Sequence, residues 1–196
     1  MWGEFSFLAK WFRFFMEETA GKDFEKGLAN IKKIAEEAVR NKVVFFVDSL
    51  PNIKLVFVSD STSVNPQEIS QKYGQCFLEL FDFTNKNKVE IIGGPIAITK
   101  SYTKTSYVFD AAFPVKSFEG IKPEGRIQFG EISASKVLRT VFLGSYDEFE
   151  EVYGKIHNYL NSKKFQIRGN FFEMYYTDPE KVPPKHNVTI IFTPIE

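Results

Sequence analysis

The chain has 196 residues, 43 % of them hydrophobic, and its 25 basic and 25 acidic side chains leave no formal net charge. That length suits one compact domain or two small, closely packed ones. Balanced charge argues against nucleic-acid binding through a basic patch and against a polybasic membrane anchor. No run of about 18 apolar residues exists, so no membrane-spanning helix is expected. No basic region followed by an apolar stretch marks a signal peptide. The single cysteine, Cys76, excludes an internal disulfide and fits a reducing, cytoplasmic setting.

Phenylalanine is unusually frequent, with 22 copies. The opening MWGEFSFLAKWFRFFM concentrates aromatic side chains that cannot stay wet without risk of aggregation, so this segment is expected to pack on something. Residues 21–42 read as a helix, with Asp23 as N-cap and Phe24, Leu28, Ile31, Ala35 and Ala38 on one face. Residues 43–60 read as extended, broken at Leu50-Pro51-Asn52.

A doubled pattern follows. A strand at Lys54–Ser59, a helix opened by Asn65-Pro66, and strands over 89–99 and 107–115 form the first copy. A linker rich in Gly, Pro and charge, KSFEGIKPEG, spans 116–125. A strand over 132–142, a helix over 146–162, and strands over 170–176 and 187–195 form the second. Tyr73-Gly74 recurs as Tyr153-Gly154, and Phe113-Pro114-Val115 as Thr193-Pro194-Ile195, each eighty residues on. The expectation is an α+β fold. A duplicated strand-helix-strand-strand module builds antiparallel sheets with helices on one face and a ligand cleft on the other. The repeats run from about 50 to 115 and from about 126 to 196, within a domain over 46–196. The two helix glycines are expected to bring each helix close to its sheet. Tyr73 and Tyr153 then occupy equivalent positions, either as packing or facing a ligand.

Glu173 is the residue that carries chemistry. In NFFEMYY, Phe171, Glu173 and Tyr175 alternate with Phe172, Met174 and Tyr176. The second set suits the helix side, which leaves the acid among aromatics on the open face. Such an acid suits an organic cation, through charge pairing and cation–π attraction. It could equally be a solvated strand residue or the partner of a lysine or arginine. Tyr153 is expected as a further wall, and pseudo-symmetry adds Ile98, Tyr107 and Phe109 opposite. Asp110 in YVFDAAF is a second acid, either surface-facing or hydrogen-bonded in its strand, or meeting Glu173 in the cleft, where mutual repulsion would raise one of the two pKa values and could supply a general acid. His157 and His186 lack neighbours at metal-ligand spacing, so no metal or cofactor is expected. No nucleophile elbow or phosphate-binding loop is present.

LRTVFLGSYDEFEEVYGKIHNYLNSKKFQIRGNFFEMYYTDPEKVP with VTIIFTPI resembles the gyrase-inhibitor-like small-molecule-binding family, also called the effector-binding domain of bacterial transcription activators. The features carrying the resemblance are Gly144-Ser145-Tyr146, Gly169, Glu173-Met174-Tyr175, Asp178-Pro179 and Pro194-Ile195. It covers roughly residues 50–196. It implies a sensor module for amphipathic, cationic or aromatic ligands; relatives include hydrolases and protein inhibitors. Residues 1–40 resemble the end of a START-like (polyketide cyclase) domain, which implies that 1–45 is a remnant of a preceding domain. No helix-turn-helix is recognisable, so direct contact with nucleic acid is not expected. The alternatives are a hydrolase in which Glu173 activates water, and a protein-interaction module or homodimer built on the N-terminal aromatic segment.

Overall fold

The computed structural model describes residues 42–177, 179 and 181–196. The expected helix over 21–42, the aromatic segment with its START-like resemblance, any dimer contact through it, and Asp178 lie outside the described residues. In chain order the elements are β1 (Val43–Leu50), β2 (Ile53–Thr62), α1 (Pro66–Lys86), β3 (Ile96–Tyr102), β4 (Tyr107–Pro114), β5 (Gln128–Ile132), β6 (Ser135–Leu143), α2 (Phe149–Lys163), β7 (Phe172–Tyr175) and β8 (Val188–Pro194). Single 3-10 turns precede α2 (Tyr146–Glu148) and β8 (Pro184–His186).

Local chemistry fixes both helices. Asn65 caps α1 by accepting from the backbone N–H of Gln67 (2.9 Å) and Glu68 (3.4 Å), with Pro66 in the first turn. Ile69, Tyr73, Cys76, Phe77, Leu80 and Phe83 then fall on one face and pack on Val56, Val58, Phe109, Ala111 and Phe113 of the sheet. A Ser145–Glu148 capping box opens the turn into α2. Val152, Tyr153, Ile156 and Leu160 pack on Leu138, Phe142 and Ile191. Lys164 ends that helix in the left-handed region at φ 58°.

All eight strands form one antiparallel sheet in the order β1-β6-β8-β7-β3-β4-β2-β5. Read from either end, the order is symmetric under exchange of the two copies: β6, β8 and β7 mirror β2, β4 and β3. The pseudo-twofold axis passes between β3 and β7, where Ala97 pairs with Glu173.

The outer strands are exchanged between copies, which the sequence does not announce. β1 pairs with β6 of the second copy, and β5 pairs with β2 of the first. These two ladders share one register: Val43 pairs with Phe142 and Ile53 with Ile132, and both sums of residue numbers equal 185. They are one long two-stranded ribbon, interrupted where Pro51-Asn52 passes Ser133-Ala134, and Ala134 N–H donates to the Asn52 side chain there. One half of the ribbon lies at each edge of the sheet, so the sheet must curl.

Two departures from the sequence reading follow. The strand expected over 89–99 starts only at Ile96, after an isolated bridge between Ile91 and Val115. Gly93-Gly94-Pro95 interrupts it because the chain passes against β7: a Cβ on Gly94 would collide with the Tyr175 carbonyl oxygen. The short β5 was hidden in the stretch before the strand expected at 132.

The helices cover one face. The other carries its own apolar cluster, built from Leu55, Ile96, Ala112, Val137, Phe172, Met174, Ile190 and Phe192. Beside that cluster is a cavity of about 390 Å³ lined by Ile98, Asp110, Phe172, Lys100 and Arg168, among others. Among the described residues, no helix is long and apolar enough to cross a membrane.

The helix glycines do not serve close packing. Gly74 and Gly154 are exposed, and a Cβ on either would meet nothing within 4 Å. Gly74→Ala and Gly154→Ala should each therefore stabilise the protein, by roughly 1 kcal/mol in thermal unfolding. A loss of stability would show that these positions carry a constraint beyond helix propensity.

Candidate functional site

Glu173 sits in the middle of the sheet, between Ala97 on β3 and Ile191 on β8. Strand alternation puts it on the same face as Phe171 and Tyr175. That face is the helix face, contrary to the sequence expectation: Phe172 and Met174 belong to the apolar cluster on the other side. The prediction failed because both faces of β7 are apolar, so alternation alone does not say which one meets the helices. Glu173 is 5 % exposed.

The walls come from both copies. From α2, the Tyr153 hydroxyl donates to Glu173 Oε1, and its ring meets Phe171 edge-on at 5.7 Å. From α1, the Tyr73 ring lies 4.2 Å from that of Phe109 of β4, tilted by 38°. Tyr107, two residues before Phe109 and on the same side, lies 5.2 Å from it. Tyr175 lies on the strand of Glu173, with Tyr146 edge-on to it at 5.6 Å. Its N–H donates to the Pro95 carbonyl, so the close passage at Gly94 also fixes Tyr175. Both repeat tyrosines, Tyr73 and Tyr153, thus face this acid, one from each helix. Tyr146 was not among the expected site residues, and Tyr73 entered the sequence reading only through the Tyr-Gly repeat, as packing or ligand-facing.

Two expected residues are elsewhere. Ile98 pairs with Phe172, and Asp110 pairs with Ile98 across β3–β4, so both point to the face away from Glu173. Asp110 accepts from Ser59 Oγ at 2.6 Å and pairs with Lys100 Nζ at 3.3 Å. The two acids therefore do not meet, because each stands at an opposite parity of the pleat.

Burial, opposed by the Tyr153 hydroxyl and a backbone N–H, raises the Glu173 pKa from 4.5 to about 7. No lysine or arginine of the described residues forms a salt bridge with it. Burial and the nearby carboxylate push the Tyr153 phenol well up, and burial does the same for Tyr175. Burial and then Glu173 raise Tyr107 to about 12. All these phenols stay protonated at neutral pH. What results is one titratable acid inside a cage of phenol rings, with no cation paired to it among the described residues. Among the described residues no cluster of His, Cys, Asp or Glu could hold a metal.

A raised carboxylate pKa makes stability depend on pH. Below pH 4.5 Glu173 is protonated in both folded and unfolded chains and costs nothing. Between about 4.5 and about 7 only the unfolded chain ionises, so stability falls as pH rises. The loss is on the order of 3 kcal/mol once complete. Glu173→Gln should remove this component from a pH series of denaturation curves; an unchanged pH profile would mean that Glu173 ionises normally.

No curated protein matches the chain in sequence. The structure resembles EcmrR in a cryo-EM structure of an EcmrR–DNA complex (TM-score 0.68, 14 % identity, 94 % of this chain and 70 % of that one). It also resembles the crystal structure of the EcmrR C-terminal domain (TM-score 0.66, 16 % identity, 79 % of this chain and 98 % of that one). A third similar structure is SAV2435 bound to tetraphenylphosphonium (TM-score 0.52, 11 % identity, 78 % of this chain and 94 % of that one). At these identities the likeness establishes the fold. The family model for the GyrI-like small molecule binding domain matches residues 46–196, more than three-quarters of the sequence, and the chain belongs to that family.

Proposed function

We propose that this chain is a sensor module for amphipathic organic cations, with Glu173 as the charge partner and Tyr153, Tyr175, Phe171, Tyr73, Tyr107 and Phe109 as the walls. One observation carries the reading: a carboxyl group 5 % exposed, ringed by aromatics, with no basic side chain paired to it among the described residues. A purely structural acid in that position would cost stability to no purpose, whereas a cation arriving with its own aromatic surface would gain both charge pairing and cation–π contact. The tetraphenylphosphonium bound to SAV2435 shows that a similar fold accepts such a cation, which supports the reading. The Tyr153 hydroxyl holds Glu173 Oε1 in this structure, so a cation must compete with it for the acid. Ligand binding on this reading swings Tyr153 aside and ionises the acid.

Tetraphenylphosphonium tests this because it has no titratable group. Calorimetric titration should show binding to the wild type and loss of it in Glu173→Gln. Affinity should rise about tenfold per pH unit below about 7 and level off above, because each cation bound expels one proton from Glu173. Binding that survives Glu173→Gln, or that is flat from pH 5 to 8, would move the site away from Glu173.

A further inference from the structure

The two halves of the cage are not alike. Across the β3–β4 ladder Ala97 pairs with Ala111, and across β7–β8 Glu173 pairs with Ile191. Ala111 and Ile191 are eighty residues apart, so Ala97 is the first-copy equivalent of Glu173. By the same count Thr99 is the equivalent of Tyr175. The first copy therefore presents small residues where the second presents an acid and a phenol. Ala97 adds no second charge beside Glu173, to which it is paired across the axis.

That half holds a chain of three hydroxyls instead. Tyr73 and Tyr107 hydroxyls lie 2.7 Å apart, and Tyr107 and Thr99 hydroxyls 3.2 Å apart, with either partner able to donate in each bond. Three hydroxyls bring three protons, and two bonds use two of them. One proton is left over. No further acceptor for it stands among the hydrogen bonds of the described residues. The three groups are part-buried, and a ligand that brings an acceptor to this proton gains a hydrogen bond. Burial keeps both phenols protonated, with Tyr107 pushed up to about 12, so the chain remains a donor at neutral pH.

We propose that the site selects organic cations that also carry a hydrogen-bond acceptor. Glu173 takes the charge, and the Tyr73–Tyr107–Thr99 chain donates to the acceptor. This rests on the reading of Glu173 as the charge partner. It separates the preferred ligands from hydrocarbon cations, which satisfy the acid and the rings but leave the hydroxyl chain with its spare proton. Tyr107 and Thr99 become specificity-determining residues.

A matched pair of probes tests it: (4-methoxyphenyl)triphenylphosphonium and (4-ethylphenyl)triphenylphosphonium, equal in charge and close in shape, only the first with an acceptor. Calorimetric titration of the full chain should favour the methoxy probe by about fivefold, the effect of one neutral hydrogen bond. Tyr107→Phe, which removes the hydroxyl shared by both bonds, should abolish that preference. Thr99→Val, which keeps shape on the strand, should reduce the preference and covers the case in which Tyr107→Phe folds poorly. Equal affinity of the two probes in the wild type, with both lost in Glu173→Gln, overturns this proposal and leaves the sensor reading intact. A preference that persists in both variants overturns it as well. Failure of both probes to bind the wild type overturns the sensor reading and this proposal together.

Discussion

The pairing of β3 with β7 is the constraint on which the rest depends. Three residue pairs join the inner strands of the two copies there, and Glu173 stands directly beside Ala97 at the pseudo-twofold axis. An acid on an outer strand of either copy would sit under one helix or in water. On the axis it lies between the two helices, where Tyr153 reaches it from α2 and Tyr73 approaches from α1. The symmetry of the fold creates the location, and the breaking of symmetry, Glu173 against Ala97, gives it chemistry.

The exchanged ribbon holds that location in place. Because β1 pairs with the second copy and β5 with the first, neither copy can move as a unit without breaking ladders at both edges of the sheet. The curl that results lets the face away from the helices bury an apolar cluster of its own. β7 is therefore packed on both faces along its four residues. An acid in so dry a strand is pushed towards neutrality, and burial raises the Glu173 pKa to about 7.

Much of this was legible in the residues. The Tyr-Gly and Pro-terminated repeats indicated two equivalent modules. Asn65-Pro66 marked the start of α1 through chemistry that acts within four residues, and Gly144-Ser145-Tyr146 carried the turn into α2 as part of the family resemblance. Glu173 drew attention as an acid inside an aromatic strand. The face of β7 was not legible, because Phe171, Tyr175, Phe172 and Tyr176 are alike in hydrophobicity and alternation fixes only which residues go together. The exchange of β1 and β5 was not legible either. Strand partners separated by about 80 residues are chosen by the closure of the whole sheet, and a short strand such as β5 carries little pattern of its own.

The sequence by itself determined the α+β class, the duplicated modules, the helix starts and the presence of an acid among aromatic side chains, because these rest on periodicity and local hydrogen bonding. Only the tertiary structure decided that Asp110 and Ile98 face away from Glu173, that Tyr73 joins Tyr153 over it, and that Tyr73, Tyr107 and Thr99 link their hydroxyls. The physical reason is parity and distance. Each residue's face depends on pleat register summed across several ladders, and the hydroxyls that meet come from a helix and two strands whose separation is set by packing.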